Sequence, residues 1–286
     1  MVRAGSRLRG SLALRGGRIE WGARTYVVGI VNVTPDSFSG DGIESATQAA
    51  EYAHAQWALG ADVLDVGGES TRPGYEPVDE AIEIARVVPA IRAVRAALPD
   101  APVSVDTYKP RVLRAAHAAG ADFVNSVWGA PPALLELVAE LGIAIVAMHN
   151  QIGTAYEGSV VDEVLRYLDD CSARAGARGI PPERIILDPG IGFGKTADQN
   201  IAVLRELERI VRLGFPTMLG SSRKSTLGKL TGREPRDRVY ATAATTALAI
   251  RAGIDVVRVH DVAAARDAVG VADAIVRDWR PASWTE

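Results

Sequence analysis

Short apolar runs recur along the chain. Each is followed by a polar or glycine-rich turn and then by a longer stretch with helical periodicity. From residue 27 onward, eight such runs predict strands at 27–31, 63–66, 103–105, 123–124, 144–148, 185–187, 217–219 and 256–259. They are β-branched or apolar at successive positions, the pattern of parallel strands covered on both faces. The stretches between them predict helices at 46–59, 79–98, 111–119, 133–141, 162–179, 199–213, 236–252 and 262–279. Several end at a glycine, as in Leu59-Gly60, Ala119-Gly120, Leu141-Gly142 and Ala252-Gly253, a common helix stop. No linker, charge run or low-complexity segment divides the chain. Residues 1–286 therefore read as one domain in which eight β/α units close into a (β/α)8 barrel. A doubly wound sheet also alternates, but usually with fewer strands and with a glycine-rich nucleotide turn after the first.

Residues 1–24 form an extension in front of the first unit, predicted as a strand pair turning at Gly16-Gly17. Five arginines and no acid among residues 1–18 are also a transit-peptide composition, which the hairpin reading outweighs. The apolar patch at 12–14 is too short for a signal peptide.

Composition narrows the class. Of 286 residues, 48% are hydrophobic and 23% charged, as in ordinary globular proteins. A net charge of −3 provides no global basic field for nucleic acid or an anionic membrane. The single cysteine, Cys171, excludes an intramolecular disulfide and a multi-cysteine zinc site. No apolar run approaches the ~20 residues of a membrane helix. A reduced, cytoplasmic protein is expected.

A (β/α)8 barrel places function just after the strand C-termini. Polar residues follow every predicted strand: Asn32 to Phe38, Gly67 to Gly74, Asp106-Thr107, Asn125, His149, Asp188-Pro189-Gly190, Gly220 to Lys224, and Arg258, His260 and Asp261. Paired carboxylates there suit a ring edge carrying an amino group and N–H donors, and arginines suit phosphate oxygens. Two motif matches fail. GIGFGKT lacks the first glycine of a phosphate loop, since Pro189 stands there, and it reads GxGxG, not the dinucleotide GxGxxG. Lys195, in that turn, is thus expected to matter less than Lys224. Cys171, His54 and His117 fall within helices and read as structural, and His149 ranks below His260.

The segments NVTPDSF, GGESTRPG, SVDT, AMH, LDPGIGFGKT, SRKS and RVHD, in that order, closely resemble the dihydropteroate synthases of folate biosynthesis. The resemblance implies a transferase that condenses 6-hydroxymethyl-7,8-dihydropterin pyrophosphate with p-aminobenzoate. It also implies Mg²⁺ accompanying the pyrophosphate, a homodimer and a sulfonamide target. By motif match the pterin would be bound by Asp106, Asn125, Asp188, Phe193, Gly220, Lys224 and Arg258. The pyrophosphate would be held by Asn32, Arg72, Arg258 and His260, and p-aminobenzoate by Phe38, Thr71, Pro73, Lys224 and Ser225. Asn32, Thr71, Arg72, Lys224, Arg258 and His260 would carry the chemistry, and Asn32, with Asp41, would meet the metal.

Three positions depart from the family's usual wording. The acid of the first loop is displaced to Asp41, Ser126 replaces an aspartate after Asn125, and Thr226 replaces an aromatic after Ser225. Two other readings stand beside the synthase. One is a non-catalytic pterin-binding paralogue. The other is a methyltetrahydrofolate:corrinoid methyltransferase, which has no use for the STRPG and SRKS segments.

Overall fold

The computed structural model describes residues 10–34, 45–70 and 77–284. Phe38, Asp41, Thr71, Arg72 and Pro73 lie outside the described residues.

A hairpin of β1 (Ser11–Leu14) and β2 (Gly17–Glu20) opens the described chain. Its turn lies at Arg15-Gly16, with Gly16 at φ +71° and Gly17 already paired to Leu14. Then come β3 (Tyr26–Asn32), α1 (Ala46–Ala58), β4 (Val63–Gly67) and α2 (Glu80–Ala97). They are followed by β5 (Val103–Asp106), α3 (Pro110–Ala119), β6 (Phe123–Ser126) and α4 (Pro132–Leu141). The third quarter holds β7 (Ala144–Met148), α5 (Val160–Gly176), β8 (Ile185–Asp188), α6 (Ala197–Arg205) and α7 (Leu207–Val211). The last consists of β9 (Met218–Leu219), α8 (Ser225–Thr231), α9 (Val239–Ala252), β10 (Val256–Val259) and α10 (Val262–Val276).

Strands β3 to β10 form one parallel sheet in the order β8-β7-β6-β5-β4-β3-β10-β9. Its two edges meet through a parallel bridge between Leu187 and Thr217, and the Leu187 N–H donates to the Pro216 carbonyl at 2.9 Å. The sheet closes into the predicted barrel, with helices packed outside it.

Two helical expectations change. The stretch predicted as one helix at 199–213 breaks at Glu206 (φ −109°) into α6 and α7. Buried Asn200, Val203, Leu207 and Ile210 keep helical spacing across the break, so the pattern cannot reveal it. The helix predicted at 236–252 starts at Val239, and the unpredicted α8 precedes it. Gly228 masks α8 in the sequence. A Cβ there would lie 2.3 Å from the Arg238 guanidinium, which crosses the helix at that point.

The barrel interior is layered by the period of two along each strand. Val28, Val63, Phe123, Val146, Ile186, Met218 and Val256 form its apolar lower layer, capped from below by Leu12, Ile19 and Trp21 of the hairpin segment. Two residues further on, the same faces carry Ile30, Asp65, Asn125, Met148, Asp188, Gly220 and Arg258. One step along each strand thus turns an oily plug into a polar floor.

Candidate active site

A cavity of about 450 Å³, including its open mouth, stands on that floor. It is lined by Asp106, Asn125, Asp188, Phe193, Gly220, Lys224, Arg258 and His260, all named from sequence, together with Ile30, Val127, Met148, Met218 and Ser222. Asn32 stands beside it, at the end of β3, in register with Gly67, which pairs in turn with Asp106. Ser225 is the exposed first residue of α8 and lies outside the lining.

Charges inside the cavity are tightly arranged. Arg258 donates from Nε to Asp65 Oδ2 at 2.6 Å and from Nη2 to Asp106 Oδ2 at 2.9 Å. Burial works against its charge, but Asp65 and Asp106 outweigh burial and leave its pKa above the ordinary value. Two guanidinium nitrogens are thus committed to carboxylates, so Arg258 acts first as a bridge within the floor. Asp106 Oδ1 and Asn125 Oδ1 are buried without a hydrogen-bond partner among the described residues. Buried acceptors left open in this way are costly unless a ligand's donors meet them.

Asp188 ends β8, and its Oδ1 accepts the Gly190 N–H at 2.7 Å. Burial raises its pKa to about 6, while Gly190, Lys224, Lys195 and Arg258 pull the other way. Burial raises Asp106 as well, against the charge of Arg258 and with help from Asp65. Both carboxyls are set apart from surface acids, as functional groups often are.

The glycine-rich turn after β8 fits under Lys224. Gly192 has φ +84°, and a Cβ there would lie 2.9 Å from Lys224 Cδ, so only glycine lets the lysine pass over. Lys195 is buried beneath this turn. Its ammonium donates to His149 Nδ1 (2.8 Å), Gly190 O (3.0 Å) and Phe193 O (3.1 Å). Three donors meeting three acceptors assign His149 the tautomer with its proton on Nε2. Burial lowers His149 to about 3, with Lys195 adding to the effect, and burial lowers Lys195 to about 7. His260 approaches from the opposite wall, its Nδ1 3.1 Å from Ser222 Oγ.

Sequence reasoning overlooked Asp65, the hub of the floor. A carboxylate in the middle of the apolar strand Val63–Gly67 was the available signal. It ranked Lys195 below Lys224 without seeing its buried contacts, and it overlooked a cluster beside the second loop. There Lys109 Nζ donates to Glu69 Oε2 (2.5 Å), Glu83 Oε2 (2.7 Å) and the Val78 carbonyl (2.6 Å).

Two departures from the family wording lose their force. Strand alternation turns Ser126 to the outer face with Val124, whereas Phe123 and Asn125 face inward. The residue replacing an acid is therefore not on the cavity's face. Thr226 is buried and its Oγ1 accepts from Asn200 Nδ2 at 3.1 Å, tying α8 to α6. The third, Asp41, is outside the described residues.

Comparison with known proteins agrees with this geometry. The family model described as pterin binding enzyme matches residues 28–260. A dihydropteroate synthase of Clostridium beijerinckii is 44% identical over 260 residues, 90% of this chain and 96% of that protein. The crystal structure of the Clostridium difficile dihydropteroate synthase, determined in the presence of pteroic acid, superposes with a TM-score of 0.85 at 42% identity. It covers 90% of this chain and 98% of that one. The Xanthomonas albilineans enzyme with 4-aminobenzoic acid gives 0.85 at 43% identity, covering 90% and 95%. With the barrel, the acceptor-lined cavity and these relatives in agreement, the chain belongs to the dihydropteroate synthase family of pterin-binding enzymes.

Proposed function

We propose that this enzyme joins 6-hydroxymethyl-7,8-dihydropterin pyrophosphate to p-aminobenzoate, giving 7,8-dihydropteroate and pyrophosphate. The observation that carries this reading is the pair of buried, unpartnered acceptors, Asp106 Oδ1 and Asn125 Oδ1, beside the carboxylate of Asp188. A reduced pterin offers an amino group and ring N–H donors to such a wall. Phe193 and Lys224 close the cavity on the side of the second substrate.

The chemistry needs no side-chain nucleophile. The bond between the pterin's exocyclic methylene carbon and the pyrophosphate oxygen breaks, and both electrons leave with pyrophosphate. The aniline nitrogen of p-aminobenzoate then forms the C–N bond and releases a proton to water. Arg72 and His260 are assigned to the leaving group, with Arg258 holding the floor between them and the pterin. Phe38, Thr71, Pro73 and Ser225 are assigned to p-aminobenzoate by motif match.

Mg²⁺ fits this site as a companion of the substrate. Among the described residues no cluster of three His, Cys, Asp or Glu could hold a metal. A Cβ built at Gly67 would lie 3.7 Å from Asn32 Oδ1 and 3.8 Å from Asp106 Oδ2, so the bare glycine sits beside two hard oxygens, of which Asp106 Oδ2 already accepts from Arg258. Mg²⁺ commonly takes one or two protein oxygens and completes its shell with water and phosphate. Asn32 would hold it, with Asp41 as the second assignment, and the ion would offset charge on the departing pyrophosphate.

The homodimer is assigned to the groove between α9 and α10. Val239, Tyr240, Ala247, Val271 and Ile275 line it, with Tyr240 89% and Ile275 75% exposed. A contiguous apolar face on two adjacent helices suits a two-fold partner. We place the enzyme in the cytoplasm, where the buried thiol of Cys171 stays reduced.

The deciding measurement is pyrophosphate release with both substrates and Mg²⁺. Release that depends on p-aminobenzoate is expected. Pterin binding without release would favour the non-catalytic paralogue.

A further inference from the structure

Asp65 is fully buried and touches three partners on three strands. Its Oδ1 accepts from Ser104 Oγ at 2.6 Å, and its Oδ2 accepts from Arg258 Nε at 2.6 Å and from Asn125 Nδ2 at 3.0 Å. A carboxylate paired with a guanidinium only accepts hydrogen bonds. The Asn125 amide therefore has one permitted orientation. Turned over, its oxygen would face the Asp65 oxygen at the same distance, two acceptors with no hydrogen between them. With Nδ2 held below, Oδ1 is left buried and open, beside the open Oδ1 of Asp106.

We propose that Asp65 is a specificity-determining positioning residue: by holding Nδ2 of Asn125, it makes the cavity wall an array of acceptors, selecting ligands whose ring edge consists of donors. This rests on the pterin-binding reading of the site and adds a residue that does not itself line the cavity. By residue type, an asparagine amide can both donate and accept. The tertiary contact takes one of its two amide hydrogens and fixes which way its oxygen faces.

The selection falls on the substituent at ring position 2. A 2-amino-4-oxopteridine offers N–H donors there, and a 2,4-dioxopteridine offers a carbonyl. Against a locked acceptor the carbonyl leaves two lone-pair groups facing each other, a mismatch that polar sites reject strongly. An Asn125 amide free to turn would donate to that carbonyl and accept both rings.

The test measures binding of 2-amino-4-oxopteridine and 2,4-dioxopteridine by calorimetry, to wild type, Asp65→Ala and Asp65→Asn. Wild type is expected to prefer the amino ring by at least roughly tenfold. In Asp65→Ala the preference should shrink to within about threefold, with the dioxo ring gaining affinity. A merely destabilised pocket would weaken both rings alike. In Asp65→Asn the preference should persist, because one amide oxygen can still accept from Asn125 and Arg258. The NH₂ of the introduced amide would then donate to the Ser104 hydroxyl, which can turn to accept. Should the Ala variant not fold, Asp65→Ser, whose hydroxyl both donates and accepts, is expected to lose the preference in the same way. A folded Ala or Ser variant keeping the wild-type ratio would overturn this assignment alone. Failure of wild type to bind the amino ring would overturn both the assignment and the pterin reading beneath it.

Discussion

The ammonium nitrogen of Lys224 stands 3.9 Å from the centroid of the Phe193 ring, over its face. Gly192 helps to make room for the lysine, because a Cβ there would lie 2.9 Å from Lys224 Cδ. The contact joins the turn after β8 to the start of α8 and brings a positive charge to the edge of the cavity. Lys224 also lowers the pKa of Asp188 and Asp106 through space, so it supports the two carboxylates that face the pterin.

Replacing Lys224 by Met removes this charge and is expected to lower kcat/KM by about 100-fold or more. Phe193→Ala removes only the face that steadies the lysine and one wall of the cavity, so a loss of about tenfold is expected. Steady-state kinetics with both substrates varied will separate the two. A Lys224→Met enzyme with ordinary turnover would take the lysine out of the reaction.

Asp188→Asn is expected to weaken pterin binding by about 2–4 kcal/mol, since a charged acceptor becomes an amide with one donor end. Wild-type affinity should itself rise with pH, as Asp188, raised to about 6, and then Asp106, raised to about 7, lose their protons. Calorimetry across pH 5 to about 8 checks both, and a flat profile would count against Asp188 as an acceptor.

The same substitution should act oppositely on stability. Burial raises the folded-state pKa of Asp188 above its unfolded value, so the folded form holds the proton more tightly. Its contribution to stability is fully present below about pH 4 and is lost as pH rises through about 6, a loss on the order of 3 kcal/mol. Asp188→Asn avoids that loss. Its melting temperature, compared with wild type, should therefore gain more at pH 8 than at about pH 4. An equal offset at both would show that the carboxyl carries no such penalty.

Lys195→Met should differ from Lys224→Met in kind. It leaves two carbonyls and the His149 imidazole without their donor, at a cost of about 2–3 kcal/mol in stability. It also loosens the turn bearing Phe193, so the pterin KM should rise more than kcat falls. Denaturant unfolding and kinetics on the two variants make the comparison. Equal losses of kcat in both would place Lys195 at the reacting groups.

Val271→Asp puts a charge into the apolar groove of α9 and α10, where Val271 is 64% exposed. If the proposed two-fold assembly uses this groove, sedimentation should report a dimer for wild type and a monomer for the variant. A variant that remains a dimer would move the interface to another face.

Much of this was legible in the chain. Alternation of short apolar runs with helical stretches implied a closed parallel barrel, because that is the arrangement that buries both faces of eight strands in one domain. Barrel geometry then directed attention to the strand ends, and eight of the residues named there line one cavity. Local order along the chain suffices for such conclusions, since strand period and strand direction decide which mouth a residue reaches.

What the chain could not disclose depends on groups far apart in sequence. That Asp65, 193 positions away, accepts from Arg258 Nε cannot be read from the chain. The direction in which the Asn125 amide points is open until the same carboxylate, 60 positions away, is seen to accept from its Nδ2. Lys195 reads as a broken phosphate loop until His149, 46 positions away, is found beneath it. A side chain's type states what it can donate or accept. Which of those capacities is already spent is decided only when closure of the barrel brings the partners together, because a hydrogen bond depends on distance and direction in space.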